Sequence, residues 1–417
     1  MNLYRLELKR VCKTRMTAIL LAIALVLAVV MAYLPVTFIG WTELDASGNE
    51  VRYTGLKAIR KRQEQQVSGT ITPDVMQEAL EAYQRVYRQH DASSINDIPV
   101  EVFYKELARY QPLVNNAKEA FADSKTGMAP GVMGLTAEDM QNFYSQLPKR
   151  LESVIWLEQS GKPGYEQAQA IAQKKFDAVQ KPFTYSFGVS SDAMDYQTLL
   201  SLLLTLLCAV IAAPVFASDA QTGAQDIQLC TKNGGLRLAA AKLAAAFSIT
   251  GAAYLLCGVV WILVTNALFG WESTQTSVQW LFSVTSLLPY TVGQMEWVML
   301  VANFLIFFAE VAFVLMASVW AKNNLTALSV ALISVVAPLI VYMVVPGSFG
   351  EWLSTLLPAG GIGLSNALLY KMISFDFLYA GGHAFFQADV LLASAPVKIV
   401  LLVGLAAWGY LRKTRVA

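Results

Sequence analysis

Residues 16–39, MTAILLAIALVLAVVMAYLPVTFI, contain no charged side chain. As an α-helix, a run of this length crosses the roughly 30 Å hydrocarbon layer of a membrane. The run exceeds the apolar core of a secretory signal peptide, about 7–15 residues, so we expect it to remain as an anchor. Five more apolar runs lie near 196–217, 239–269, 292–320, 325–346 and 390–411. The sequence therefore predicts a polytopic membrane protein with six transmembrane helices.

The composition agrees with this class. Of the 417 residues, 55% are hydrophobic and 15% are charged, whereas soluble domains have about 25% charged residues. The chain has no polybasic run that would suggest nucleic-acid binding.

Basic residues near the span ends predict the orientation, because short cytoplasmic segments are enriched in Lys and Arg. With six spans, all four basic segments fall on one side of the membrane, which we expect to be cytoplasmic. The segments are the one before the first span, the two that link spans two and three and spans four and five, and the one after the last span; in that order their basic residues are Arg5, Lys9, Arg10, Lys13 and Arg15; Lys232, Arg237 and Lys242; Lys322; and Arg412, Lys413 and Arg415. Both termini would be cytoplasmic, in the cell membrane, and residues 41–195 would be extracytoplasmic. None of the four cysteines lies in 41–195, so that domain is expected to be stable without disulfides.

The predicted organisation is all-α. A cytoplasmic amphipathic leader (1–15) is followed by the first transmembrane helix (16–40), an extracytoplasmic helical bundle (41–195), helices two to six (196–411) and a cytoplasmic tail (412–417); a disordered basic tail is the alternative for the leader. In the bundle, apolar residues recur at helical spacing over 74–89, 100–121, 137–158 and 165–180. Residues 277–290 and 352–386 are apolar but interrupted, so we expect re-entrant or interfacial segments there.

The sequence contains no enzyme signature. It has no Gly-x-x-x-x-Gly-Lys-[Ser/Thr] phosphate loop and no Gly-x-Ser-x-Gly nucleophile motif, and its only histidines, His90 and His383, are far apart. We therefore expect no catalytic residue, bound cofactor or metal in this chain. Energy for any transport would come from a partner or from an ion gradient.

Residues 216–242 contain the most specific pattern. A span ends, a short polar segment follows, Asn233-Gly234-Gly235 predicts a turn, and the next span opens with a cation. The pattern consists of Asp219, Gly223, Leu229 with Thr231, Arg237 and Lys242. It resembles the membrane subunit of ABC-2 type exporters, although glutamate is usual where Asp219 stands and the helix start here is unusually rich in alanine.

The resemblance implies a coupling loop (217–238), including Asp226 and Lys232, that binds a separate ATPase subunit. The leader, with Arg5, Lys9, Arg10 and Lys13, would pack beside it. ATP and Mg²⁺ would be bound by the ATPase, and a second permease subunit, identical or related, would complete the pathway. The resemblance covers the membrane part, and a large insertion between spans one and two occurs in a subset of such permeases. For that subset a peptide or amphipathic substrate is plausible.

Polar residues inside the predicted spans are a second candidate site. Glu310 lies near the middle of the fourth span, and Asn303 and Asn266 are weaker cases. Because a lone carboxyl in a membrane is costly, Glu310 is either a pore-facing or ion-coupled acid or a helix-packing hydrogen-bond partner. Two other functions stay open: a membrane sensor or assembly protein whose outer domain binds a ligand, and an ion-coupled carrier.

Overall fold

The computed structural model of the chain describes residues 3–44 and 50–414 and is mostly helical. In chain order the helices are α1 Leu3–Cys12, α2 Arg15–Phe38, α3 Leu56–Gln65, α4 Pro73–Gln89, α5 Val100–Val102, α6 Gln111–Ala120, α7 Ala137–Gln141, α8 Phe143–Gln159, α9 Tyr165–Asp177, α10 Ser191–Ala212, α11 Pro214–Thr222, α12 Ala224–Leu229, α13 Leu236–Phe269, α14 Val292–Trp320, α15 Asn324–Val344, α16 Gly347–Leu356, α17 Leu368–Ile373 and α18 Gln387–Thr414. The strands are β1 Gly40–Leu44, β2 Glu50–Thr54, β3 Gly69–Thr70, β4 Thr184–Tyr185, β5 Phe377–Ala380 and β6 His383–Phe386.

The prediction of six helices long and apolar enough to cross a membrane is confirmed. They are α2, α10 with α11, α13, α14, α15 and α18. Three helices begin three to five residues earlier than expected: α10 at Ser191, α13 at Leu236 and α18 at Gln387. Each added segment contains a charged residue, which is why the apolar run appeared to begin later.

The bundle of spanning helices is built around α14, which packs against α10, α13, α15 and α18. On the other side, α2 packs against α10 and α13, and the leader helix α1 packs along α13. Glycine permits a close approach of α13 to α14, since a Cβ atom at Gly258 would lie 2.3 Å from a methyl carbon of Leu300.

Exposed tryptophans mark both ends of the bundle. On α14, Trp297 and Trp320 are each nearly half exposed, and at 1.5 Å per residue they lie about 35 Å apart along the helix. Trp408 of α18 lies beside Trp320, with ring centroids 5.9 Å apart. Aromatic rings collect where a membrane meets water, and this spacing matches the thickness of a bilayer core.

Residues 39–190, hereafter the insert domain, are mainly helical but also contain strands. The expectation of a purely helical domain without strands is therefore wrong. Strand β1 pairs with β2 in an antiparallel register with Gly40 opposite Thr54, and β3 pairs with β4. Strands β3 and β4 have two residues each, too few to produce a pattern. Strand β2 does alternate between exposed and half-buried residues, and the sequence prediction overlooked this signal.

The predicted single helix over 100–121 is interrupted. Its residues form the short helix α5, a π turn over 103–107, a 3-10 turn over 108–110 and then α6, which has a proline in its first turn. The predicted helix over 137–158 is divided into α7 and α8 at Asn142. The start of α7 is confirmed, since Thr136 and Asp139 form a capping box.

The segment over 277–290 packs against the insert domain. The amide of Ser277 donates to the Thr184 carbonyl oxygen at 2.9 Å, and the Trp280 ring packs among Phe143, Phe183 and Tyr185. The segment over 352–386 is more broken: α16 ends at Leu356, α17 follows, and β5 and β6 form a hairpin with Gly381-Gly382 at its turn. Whether either segment enters a membrane stays a prediction.

Candidate functional site

Four charged side chains and one amide meet at the end of the bundle opposite the insert domain. We call this group the Asp219 cluster; its members are Glu7 and Arg10 of α1, Asp219 of α11, Gln228 of α12 and Lys242 of α13. The cluster joins the leader, the end of the second span, the segment after it and the start of the third span. Its formal charges sum to zero, with two carboxylates facing two cations.

Asp219 is the central acceptor of the cluster. Arg10 donates from Nη1 to both carboxylate oxygens, at 2.8 and 3.0 Å, and from Nη2 to the Val215 carbonyl oxygen at 2.9 Å. Lys242 donates to Oδ2 of the same carboxylate and, at 3.1 Å, to Oε1 of Gln228. The guanidinium thus contacts the Asp219 carboxylate through one nitrogen and the main chain of α11 through the other, which fixes its orientation.

Burial makes the pairing obligatory. Lys242 is 1% exposed and Asp219 is 7% exposed. An isolated charge at such depth is very costly, whereas a paired and hydrogen-bonded one is tolerated. The Lys242 ammonium also lies 5.5 Å from the Phe216 ring, which in turn packs on Tyr410 of α18. The last span is thereby brought into the same region.

A proline kink sets the position of α11. Pro214 cannot donate a backbone hydrogen bond and separates α11 from α10. Ser318 of α14 satisfies the freed groups: its hydroxyl accepts from the Phe216 and Ala217 amides, at 3.0 and 3.1 Å, and donates to the Ala213 carbonyl oxygen at 2.6 Å. The helix then ends at Gly223, whose φ of +72° suits glycine.

After Gly223 the chain forms the short helix α12 and a tight turn. The predicted turn at Asn233-Gly234-Gly235 is confirmed, and a Cβ atom at Gly234 would lie 1.8 Å from the Gln228 carbonyl oxygen. Only glycine allows this approach, which holds the turn against the residue that accepts from Lys242. Thr231 also donates to that carbonyl oxygen, at 2.7 Å.

The surface beyond the cluster is mixed in character. Ile227 is 74% exposed and Leu236 is 54% exposed, and Asp226, Lys232 and Arg237 are exposed around them. Arg237 donates to Asn233 Oδ1 at 3.4 Å, while Leu229 packs partly against the core. An apolar centre ringed by charges is typical of protein interfaces.

The structure brings together only part of the predicted set. Asp219, Lys242 and Arg10 are in direct contact, but Asp226, Lys232 and Arg237 face outward. In the leader, Arg5, Lys9 and Lys13 are exposed and lie outside the cluster. The sequence reasoning missed Glu7 and Gln228. Glu7 could have been found, because it precedes Arg10 by three residues and so shares its helix face.

Glu310 is fully buried between α14 and α15. Ser334 donates to its Oε1, and Oε2 has no hydrogen-bond partner among the described residues. Lys398 of α18, which sequence reasoning missed, donates from Nζ to the Thr355 and Leu357 carbonyl oxygens, each at 3.0 Å. These contacts fit a helix-packing role, and the pore-facing alternative remains a prediction.

Asn303 does not join Glu310. It lies about two helical turns away on α14 and lines a cavity of about 10 Å³ with Gln197, Ser201 and Tyr254. Within residues 3–44 and 50–414, no group of three His, Cys, Asp or Glu side chains could hold a metal ion.

No family model matches the chain, and comparisons with curated proteins and with solved structures give no match either. The functional argument therefore depends on the geometry of the chain itself, above all on the Asp219 cluster.

Proposed function

We propose that this chain is the membrane subunit of an ABC-2 type exporter, coupled to a separate ATPase. The observation that supports this most is the Asp219 cluster, whose ion pairs join separate helices and are not required by the fold of any one of them. Arg10, Asp219 and Lys242 join the leader, the second span and the third span immediately behind an exposed segment. Force applied to that segment would reach three helices together.

The segment after the second span is rigid enough to transmit a movement of a bound partner to the helices. The segment from Gly223 to Arg237 is short and is held by the Gly234 contact and by Gln228. Its exposed face offers Ile227 and Leu236 to a partner. A rigid element at the ends of two spans can pass a displacement to the packed helices, because packed interfaces shift between discrete arrangements.

In this proposal the chain forms half of a pathway, with a second permease subunit, identical or related, supplying the rest. It lies in the cell membrane with both termini cytoplasmic and the insert domain outside. ATP and Mg²⁺ act on the partner, and the chain itself catalyses nothing. The cargo is a peptide or another amphipathic molecule.

The test is affinity purification from the native cell in mild detergent, with partners identified by mass and stoichiometry. We expect an ATPase at about one per permease, and Ile227→Asp should abolish its recovery. Met128→Asp is a matched control, because Met128 is 73% exposed and Ile227 is 74% exposed. Recovery of no ATPase, under conditions that preserve a known ABC complex, would contradict the proposal.

A second candidate is an ion-coupled carrier. Glu296 and Glu310 are both fully buried within α14, and carboxyl groups inside membranes often belong to ion pathways. Transport into vesicles separates the two functions. An exporter stops when ATP is depleted and the ion gradient is kept, whereas a carrier continues.

A further inference from the structure

A second buried carboxyl lies where α13 and α14 meet near the insert domain. Glu296 is 0% exposed and Asn266 is 1% exposed. The Asn266 amide donates from Nδ2 to Glu296 Oε2 at 2.6 Å and to the Ile262 carbonyl oxygen at 2.9 Å. Both of its N–H groups are therefore engaged.

Two oxygens of this pair have no donor. Glu296 Oε1 and Asn266 Oδ1 are buried, and no hydrogen-bond partner for either exists among the described residues. Both atoms are acceptors when the carboxyl is ionised. Leaving two buried acceptors unpaired is costly, and an ionised carboxylate without a cation would cost much more.

No cation of residues 3–44 and 50–414 compensates Glu296 by an ion pair. The charged groups on the neighbouring elements at this end of the bundle are exposed or bonded elsewhere. Asp192 and Glu272 are exposed, and Asp195 accepts from Tyr370. Lys371 pairs with Asp376, Asp389 pairs with Lys175, and Lys398 donates to the Thr355 and Leu357 carbonyl oxygens. Glu310, farther along α14, has Ser334 as its donor.

We propose that Glu296 is a proton-binding site of the membrane bundle, with Asn266 as its hydrogen-bonding partner. One proton on Oε1 turns that oxygen into a donor, and the carbonyl oxygen of the same Asn266 amide that contacts Oε2 is an acceptor left free. The amide N–H already donates to the other carboxyl oxygen. Proton, acid and amide together form a reciprocal pair with both acceptors satisfied.

Helix α10 also contacts this site. Gln197 of α10 donates from Nε2 to the Glu296 main-chain oxygen at 2.9 Å. The protonated pair therefore lies where α10, α13 and α14 converge. Release of the proton would leave a buried negative charge, so water must reach the site when the proton leaves. Proton binding is thus linked to the closed packing of these helices, and the site does not require an ATPase partner.

The test is infrared spectroscopy of the purified full-length protein at neutral pH. We expect a protonated-carboxyl band that Glu296→Gln removes, while Glu272→Gln, on an exposed residue of the adjacent loop, leaves it in place. Glu296→Gln should fold normally, because a glutamine amide can donate to Asn266 Oδ1 and accept from Nδ2. Thermal unfolding should shift to lower temperature at alkaline pH in the wild type and less so in Glu296→Gln.

Three results would overturn the site. One is an unchanged infrared spectrum in Glu296→Gln. Another is failure of that neutral isostere to fold. The last is stability that rises with Na⁺ but not with acidification, which would indicate a bound metal cation in place of the proton.

Discussion

Asp219 accepts from two cations, and the two do not contribute equally. Lys242 is 1% exposed, whereas the Arg10 side chain is 35% exposed. Water can solvate Arg10 when its partner is lost, but it cannot reach Lys242. The buried half of the cluster should therefore dominate its stability.

Substitution of Asp219 by Asn should destabilise the bundle by about 3 kcal/mol, because Lys242 would be buried without a compensating charge. Arg10→Gln should cost about 1 kcal/mol or less. The measurement is thermal unfolding in detergent or nanodiscs. The double variant Asp219→Asn with Lys242→Met should recover most of the loss, since the buried charge that remains, Glu7, keeps Arg10 as its partner. Equal effects of Asp219→Asn and Arg10→Gln would contradict this account.

Glu119, in the insert domain, predicts a dependence on pH. Burial raises the pKa of Glu119, and hydrogen bonds from Ser283 and from the Val284 amide lower it in part. A carboxyl whose pKa is raised in the folded state contributes fully below its ordinary value near 4.3 and loses that contribution as pH rises. Glu119→Gln should therefore slightly raise the melting temperature at alkaline pH, with the difference vanishing near pH 4.

The control for this prediction is Glu101→Gln, because Glu101 is exposed and its loss should leave the pH dependence unchanged. A melting temperature lowered by Glu119→Gln at alkaline pH would mean that the Ser283 contact outweighs the cost of burial.

At the scale of the elements, the turn after α12 depends on one close approach. Gly234→Ala places a methyl group against the Gln228 carbonyl oxygen, so the turn must move. We expect a loss of about 2 kcal/mol, together with weaker ATPase recovery if the exporter proposal holds. Gly131→Ala is the control, because its Cβ would meet nothing within 4 Å and its backbone is extended. An unchanged melting temperature in Gly234→Ala would show that the turn is not tightly held.

Helices were predictable from the sequence where the apolar run was long, and short strands were not. The six spanning helices were found because each stretch of about 20 residues averages out local irregularity. The hairpin of β5 and β6 was missed even though Gly381-Gly382 is a recognised hairpin signal. Its flanking residues are almost all apolar, so an alternating pattern is absent and the segment was assigned to the membrane interface.

The Asp219 cluster was predictable only where its residues belong to a recognisable sequence pattern. Asp219, Gly223 and Lys242 belong to one recognisable pattern, and Asp219 and Lys242 are in contact. Glu296 and Lys398 are, like Glu310, single charges inside predicted spans, but the sequence does not show which of these charges packing buries. The partners of such residues lie on other helices and depend on tertiary packing.

At the scale of the molecule, the insert domain contacts the span ends at several points rather than hanging from one tether. Gln63 donates to the Phe269 carbonyl oxygen at 2.6 Å, at the end of α13. Gln159 donates to the Phe375 carbonyl oxygen at 2.7 Å, and Lys175 pairs with Asp389 of α18. These are ordinary polar residues, and nothing in the sequence distinguishes them from neighbours that face water.

Because the attachment is broad, a movement of the spanning helices should be transmitted to the insert domain. Trp280 supplies an apolar part of this attachment. It comes from the loop between α13 and α14, is 8% exposed, and packs among aromatic rings of the insert domain. Trp280→Ala should therefore loosen the insert domain from the bundle and cost about 3–5 kcal/mol.

Limited proteolysis of the purified protein, followed with thermal unfolding, measures this effect. In Trp280→Ala we expect faster cleavage within residues 181–190, the connection between the insert domain and α10. Trp271→Ala is the matched control, because Trp271 lies in the same loop and is 56% exposed. If the two variants were cleaved equally fast, the aromatic contact would not hold the domain. The polar contacts of Gln63, Gln159 and Lys175 would then have to be sufficient, and their combined loss, Gln63→Ala with Gln159→Ala and Lys175→Ala, should produce the cleavage that Trp280→Ala did not.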